Sequence, residues 1–165
     1  MSKTYTLKSV QTLPCSIDQA WEFFSNPKNL FTITPAYLNL KVTSNIENQE
    51  IFEGQEIRYT VKPLFGIPMS WQTRITEVKP QRLFVDEQEK GPYKLWRHQH
   101  FFNPIEGGVE MADLVHYQVP FSLLGSLANK FTIRKKLRQI FTYRYFKVNQ
   151  LFGSWPGATI DLQIE

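Results

Sequence analysis

The feature that most constrains this chain is a change in the spacing of its apolar residues, which falls in the last third. Between Tyr37 and Pro120, apolar and polar residues alternate in six short stretches, the pattern of strands with one buried face. Turn signals containing glycine or proline separate these stretches by only a few residues, so we expect consecutive strands to pair antiparallel. The predicted strands cover residues 38–45, 55–62, 69–78, 82–90, 95–103 and 109–119.

After Pro120 the spacing becomes helical. Apolar residues recur there at three-, four- and six-residue intervals, which places them on one broad face of a long helix. This helix is expected to begin near Leu123 or Gly125 and to end by Phe152.

The segment before the six strands predicts one more strand and two short helices. Tyr5–Leu13 alternates as a strand does, and Ser16 is a suitable N-cap for the first helix. Pro27 can open the second helix, and Pro35 stops it. Residues 1–165 are therefore predicted to form a single α+β domain with seven strands.

Aromatic residues are the main compositional surplus. The chain has 13 Phe, 7 Tyr and 4 Trp, and 42% of its residues are hydrophobic, which excludes a disordered protein. A small domain rarely needs so many rings merely to fill its centre. We therefore expect some of them to line a pocket.

Cysteine usage and the lack of long apolar stretches predict a cellular location. Cys15 is the only cysteine, so no intramolecular disulfide can form, which is typical of a reducing compartment. Residues 1–13 lack the apolar core of a secretory signal, and no stretch approaches the ~18 apolar residues of a membrane span. The expected protein is soluble and cytoplasmic.

Several short motifs follow this order of elements: Ala20-Trp21-Glu22-Phe23-Phe24, Ile33-Thr34-Pro35, Phe84-Val85-Asp86-Glu87-Gln88, Trp96-Arg97-His98-Gln99-His100-Phe101 and Pro120-Phe121. Together they resemble the SRPBCC superfamily, which includes START-like, helix-grip and polyketide cyclase or dehydrase domains, over nearly the whole chain. The resemblance implies a curved antiparallel seven-stranded sheet that encloses an apolar cavity with the long C-terminal helix. It implies no particular reaction, because the superfamily contains both carriers and enzymes.

Strand alternation also predicts which side chains share the inner face of the sheet. Centring the turns of the last two hairpins places Asp86 opposite His98, and His100 opposite Asp113. Directly opposed β-carbons lie ~4.5–5.5 Å apart, so each pair is within contact range. The same registers pair Phe84 with His100 and Trp96 with Tyr117.

Three interpretations of the candidate catalytic residues His98, His100, Asp86 and Asp113 remain open. In the first, they satisfy one another inside a buried sheet, where an unpaired polar group costs about 1–3 kcal/mol. In the second, they orient a ligand in an apolar pocket. In the third, a histidine held by an aspartate acts as a general base, as in an aldol-type cyclisation or a dehydration. A metal site built from the same residues has the least support, and no metal or cofactor is expected.

The leading hypothesis is a domain that binds, or binds and transports, a hydrophobic small molecule such as a lipid, an isoprenoid, a quinone or a polyketide. The alternative is an enzyme of the polyketide cyclase or dehydratase type. The residues expected at the ligand site are inward-facing strand residues and two helix residues: Tyr59, Trp71, Thr73, Phe84, Asp86, Gln88, Trp96, His98, His100, Phe102, Met111, Asp113, Tyr117, Leu127 and Phe131.

The predicted helix, residues 125–152, carries seven basic residues and no acidic ones. A second alternative is therefore a module that contacts proteins or, transiently, anionic membranes through this helix. More often such a helix buries its apolar face and leaves its basic residues in solvent. Nucleic acid is not an expected partner, because the remainder of the domain is net negative.

Overall fold

The computed structural model describes residues 3–46, 50–63, 66–120 and 129–165. Within these ranges the chain forms eight strands, two α-helices, two short 3₁₀ helices and one π-helical turn. The strands are β1 Tyr5–Leu13, β2 Lys41–Val42, β3 Glu56–Val61, β4 Met69–Lys79, β5 Leu83–Lys90, β6 Leu95–Ile105, β7 Gly108–Gln118 and β8 Asp161–Ile164. The helices are α1 Ile17–Phe24, the 3₁₀ helices Pro27–Ile33 and Ala36–Leu38, the π-helical turn Asn129–Ile133 and α2 Arg134–Phe152.

The strands form one sheet in the order β2-β3-β4-β5-β6-β7-β1-β8, with every neighbouring pair antiparallel. Strands β2 to β7 are the predicted meander. Strand β1 pairs with β7, from Tyr5 opposite Tyr117 to Leu13 opposite Val109. The predicted registers are confirmed, since Asp86 lies opposite His98 and His100 lies opposite Asp113.

All seven predicted strands are present, and two details differ from the prediction. Strand β2 is reduced to Lys41–Val42, because Asn39 takes a left-handed backbone conformation (φ 45°) after the second 3₁₀ helix. Strand β8 is an addition, which pairs with β1 from Leu7 opposite Ile164 to Val10 opposite Asp161. Its four residues are too short an alternation to be recognised from the sequence.

Helix α1 begins where the capping signal predicts. The amide of Gln19 donates to the hydroxyl of Ser16 over 3.2 Å, and the amide of Ser16 donates to the Gln19 side chain over 3.0 Å. This reciprocal pair satisfies two amides of the first turn. The helix then buries Ala20, Trp21 and Phe24 against the sheet.

Helix α2 packs its apolar stripe, which contains Leu137, Phe141, Tyr145 and Val148, against the sheet. The predicted start of the long helix lies outside the described residues. Phe131, expected on the inner face, is instead 65% exposed. It lies in the π-helical turn, where one extra residue per turn rotates Phe131 away from the face that α2 buries. None of the helices in the described ranges is both long enough and apolar enough to cross a bilayer.

The inner face of the sheet has a polar layer between two apolar clusters. Phe102 of β6 belongs to the cluster beneath α1, whereas Trp96 of the same strand belongs to the cluster beneath α2. His98 and His100 point to the same face between these two residues, and both are 6% exposed. The fold therefore buries two imidazoles at the centre of the sheet.

Candidate ligand-binding site

The buried histidines surround the carboxylate of Asp113, which is itself 2% exposed. Its Oδ1 atom accepts a hydrogen bond from Nε2 of His98 over 2.9 Å and another from Nη2 of Arg144 over 3.2 Å. Nδ1 of His100 lies 3.0 Å from the same oxygen but without the alignment of a hydrogen bond. A single carboxylate oxygen thus contacts three cationic or potentially cationic groups.

Asp86 contacts the same two imidazoles from the neighbouring strand. Nε2 of His100 donates to its Oδ2 atom over 3.0 Å, and Nδ1 of His98 lies 3.8 Å from that atom. The hydrogen bonds therefore run diagonally, from His100 to Asp86 and from His98 to Asp113, although the directly opposed pairs are the predicted ones. Diagonal neighbours are within reach of rings on adjacent strands, which explains the exchange of partners.

Arg144 of α2 is the residue of this cluster that the sequence reasoning missed. It was expected on a solvent-exposed basic face, but it is 7% exposed, and its guanidinium lies 5.6 Å from the Phe24 ring and 5.8 Å from the Phe141 ring. A signal was present, because Arg144 follows Phe141 by three residues and precedes Val148 by four, which places it on the apolar stripe.

The two imidazoles have opposite pKa shifts. Burial, helped by the charge of His100, lowers the pKa of His98. Burial also opposes the charged form of His100, but the nearby carboxylates of Asp113 and Asp86 outweigh it and raise the pKa of His100. Burial alone would raise the pKa of Asp113, yet Arg144 and the two imidazoles hold it well below its usual range. When His100 carries a second proton, its positive charge and that of Arg144 equal the formal negative charges of Asp86 and Asp113.

We expect these shifts to be visible by NMR in chelator-treated protein. The ring signals of His100 should titrate above the ordinary histidine pKa of about 6.5, and those of His98 below it. The contribution of His100 to stability is then complete below about pH 6.5 and is lost as pH rises through its raised pKa. That of His98 is complete above about pH 6.5 and is lost as pH falls through its lowered pKa. The variant His116→Asn removes the third histidine signal, and midpoints in the reverse order would contradict the assignment.

A cavity of about 200 Å³ lies between the inner face of the sheet, the first 3₁₀ helix and α2. An apolar cavity of ~150 Å³ can hold benzene, so this one has room for a somewhat larger apolar group. Its walls are mostly aliphatic and aromatic, and the polar side chains Asp86, His98, His100 and Arg144 contribute one part of them. Elsewhere on the wall, the hydroxyls of Tyr59 and Thr73 are 2.8 Å apart and hydrogen-bond each other.

The structure brings about half of the predicted ligand-site residues together around this cavity. Those that line it are Tyr59, Trp71, Thr73, Phe84, Asp86, Trp96, His98 and His100. Asp113 lies behind the imidazoles and holds them, while Gln88 instead binds the backbone of Tyr93 with its amide group. Leu127 lies outside the described residues.

The remaining predicted site residues do not line this cavity. Phe102 packs against the rings of Trp21 and Phe24 and does not line the cavity. Met111 is 2% exposed in the same cluster, and Tyr117 is fully buried, stacked on Tyr5. Strand alternation identifies the inner face correctly, but it cannot distinguish which part of that face is covered by packing. Phe131 is exposed for the reason given above.

The other walls of the cavity come from helices and loops, which the sequence reasoning did not assign to the site. Most of their residues are apolar or aromatic, and the polar ones are Asn26, Asn29, Thr34 and Arg144. The residues of these walls include Phe23, Phe24, Leu30, Ile33, Leu38, Ile51, Tyr93, Leu137, Ile140, Phe141 and Arg144.

Basic residues of α2 other than Arg144 also have partners inside the molecule. Arg134 donates to the backbone oxygen of Ile164, Arg138 lies 3.5 Å from that of Leu162, and the ammonium of Lys136 lies 4.8 Å from the Tyr37 ring centroid. These contacts hold β8 and the 3₁₀ region against the helix. Membrane or protein contact through the basic helix stays a prediction. Several of the basic side chains it would use already contact residues of this protein.

Comparisons with known proteins agree with this architecture. The protein CV1439 from Chromobacterium violaceum superposes with a TM-score of 0.65 at 12% identity, covering 91% of this chain and 98% of that one. The major latex-like protein 151 from ginseng, Panax ginseng, superposes with a TM-score of 0.64 at 11% identity, covering 90% and 97%. At these identities the likeness concerns the fold alone, which is the helix-grip fold.

The comparison with curated protein sequences gives no significant match. The model of the family described as polyketide cyclase / dehydrase and lipid transport matches residues 13–142, which is most of the chain and spans the elements from the end of β1 into α2. This protein therefore belongs to the polyketide cyclase / dehydrase and lipid transport family, of the SRPBCC type.

Proposed function

We propose that this protein binds a hydrophobic small molecule, of the size and character of a small lipid, isoprenoid, quinone or polyketide, between its sheet and α2. The observation that carries this proposal is the cavity of about 200 Å³, whose mostly apolar wall includes the compact polar cluster of Asp86, His98, His100 and Arg144. An apolar pocket with a few convergent polar groups is the usual form of a small-molecule site, because the apolar wall provides affinity and the polar groups fix orientation.

Two buried donors indicate what the ligand carries at its polar end. Nε1 of Trp71 and Nε of Arg144 are buried without a hydrogen-bond partner among the described residues, and both side chains line the cavity. A buried donor without an acceptor costs about 1–3 kcal/mol, so an acceptor supplied by a ligand would be favoured. We infer that the ligand has a carbonyl or carboxylate oxygen that accepts a hydrogen bond from one of these donors.

The proposal is tested by filling the cavity. Ile140 lines it from α2, whereas the adjacent Gln139 is exposed, so Ile140→Trp and Gln139→Trp add the same ring inside and outside. Native mass spectrometry and solvent extraction of the purified protein identify any ligand that copurifies, and thermal shift screens a panel of apolar carbonyl and carboxylate compounds. Affinity for the best compound should fall at least about 10-fold in Ile140→Trp, since overpacking costs ~1–3 kcal/mol, and should be retained in Gln139→Trp.

Two results would count against the proposal. One is the absence of both a copurifying apolar molecule and any thermal shift across the panel. The other is equal affinity in the two tryptophan variants, which would place binding outside the cavity.

The cyclase or dehydratase alternative is favoured by one specific observation. His98 lines the cavity with its Nε2 atom bonded to Asp113, and its lowered pKa keeps the imidazole neutral and able to accept a proton. If the protein returns a bound compound chemically changed and His98→Gln returns it unchanged, the enzymatic alternative replaces the carrier.

A further inference from the structure

Three atoms on the cavity wall converge as the ligands of a metal ion do. Oδ2 of Asp86 lies 3.0 Å from Nε2 of His100 and 3.8 Å from Nδ1 of His98, and the ligand atoms of the three residues all lie within 4.8 Å of one another. Metal–ligand distances of ~2.0–2.2 Å require ligand atoms roughly 3–3.5 Å apart, so small side-chain rotations would complete the geometry. We propose that Asp86, His98 and His100 bind one divalent transition-metal ion.

The neighbouring residues form the outer support that such a site needs. Oδ1 of Asp113 contacts the far nitrogens of both rings, Nε2 of His98 at 2.9 Å and Nδ1 of His100 at 3.0 Å. This leaves Nδ1 of His98 and Nε2 of His100 on the side of Asp86. A carboxylate on the far nitrogen is the usual partner of a metal-bound histidine, because it fixes the orientation and basicity of the ring. The structure therefore gives the two aspartates different roles, Asp86 as a ligand and Asp113 as a support.

The charges around the site also suit a cation. Nη2 of Arg144 lies 3.2 Å from Asp113, so these two opposite charges offset each other. Asp86 has no comparable arginine partner in the described part of the chain, and the ion would replace the extra proton of His100 as the positive charge facing this carboxylate. Two imidazole nitrogens with one carboxylate oxygen favour iron(II), cobalt(II), nickel(II) or zinc(II) over magnesium or calcium, which prefer oxygen ligands.

Asp86, His98 and His100 all line the cavity, so open coordination positions would face the bound small molecule. Sites with three protein ligands usually keep such positions for water or substrate. A carbonyl or carboxylate oxygen of the ligand would occupy one of them, and only this last step rests on the proposed function.

Cobalt(II) provides a direct test, because its visible absorption bands report ligation and geometry. Full-length protein is treated with EDTA, dialysed and titrated with cobalt chloride in the absence of any organic ligand. We expect bands that saturate at one equivalent, that zinc removes and that excess magnesium leaves unchanged. Asp86→Asn should weaken binding at least about 100-fold, and Asp113→Asn by about 10–100-fold, the usual effect of losing an outer partner.

Matched controls separate this site from surface binding. Glu87→Gln removes the neighbouring carboxylate, which pairs with Arg97 rather than with the histidines, and His116→Ala removes a histidine outside the cluster. Both variants should bind cobalt as the wild type does. No saturable band in the wild type, or equal affinity in the wild type and in folded Asp86→Asn, would overturn the proposal. If Asp86→Asn fails to fold, folded His98→Gln takes its place with the same expected loss, and a failed search for an apolar ligand does not affect either result.

Discussion

Replacing Asp113 with alanine is expected to lower the free energy of unfolding by about 3–5 kcal/mol, the usual effect of breaking a buried ion pair on one side. Asp113 is almost fully buried, and its Oδ1 atom accepts hydrogen bonds from both His98 and Arg144. Its loss leaves the charge of Arg144 buried without a carboxylate and the imidazole of His98 without an acceptor. Urea unfolding in EDTA, followed by tryptophan fluorescence, measures the change.

Two further variants make this result specific. Glu110→Ala removes an exposed carboxylate from the same strand and should change stability by no more than about 0.5 kcal/mol. The double variant Asp113→Leu with Arg144→Met replaces the ion pair by apolar groups and should be more stable than Asp113→Leu alone. A loss of less than about 1 kcal/mol in Asp113→Ala would contradict the expectation that the buried contacts of Asp113 with His98 and Arg144 stabilise the fold.

Gly108→Ala is expected to lower the free energy of unfolding by about 3 kcal/mol or more, which is the upper end of the usual effect of overpacking. A β-carbon on Gly108 would overlap the backbone oxygen of Leu13 on the neighbouring strand and would lie 2.8 Å from the Trp155 ring. Backbone cannot move aside as a side chain does. Gly108 also begins β7, opposite Ile105, so a displacement there would disturb the register that sets Asp113 opposite His100.

Gly91→Ala is the matched control, since it adds the same methyl group in another turn. There the new β-carbon would meet the end of the Gln88 side chain, which can rotate away at the cost of its bonds to Tyr93, about 1 kcal/mol. Thermal unfolding of the two variants should therefore differ clearly. Equal melting temperatures would contradict this prediction, because they would mean that the backbone of β1 moves at Leu13 to make room for the methyl group.

The sheet and its polar layer were predictable because their determinants are local. Alternation assigns each strand residue to a face, and short turns set the register, so the opposition of Asp86 to His98 and of His100 to Asp113 follows from the sequence. The capping pair of Ser16 and Gln19 is equally local. The 3₁₀ helices and the four-residue strand β8 have weaker sequence patterns. The sequence therefore did not predict that residues of the 3₁₀ region line the cavity, or that β8 exists.

The sequence by itself determined the helix-grip architecture, the inner face of the sheet and the two histidines and two aspartates on that face. Only the tertiary structure decided that Arg144 joins them, 31 residues beyond Asp113. It also decided which carboxylate each imidazole bonds and which rings line the cavity rather than fill the core. The physical reason is that short turns determine the register of paired strands, whereas no local feature determines the position of a helix that packs across a sheet. Its placement depends on the packing of the whole interior.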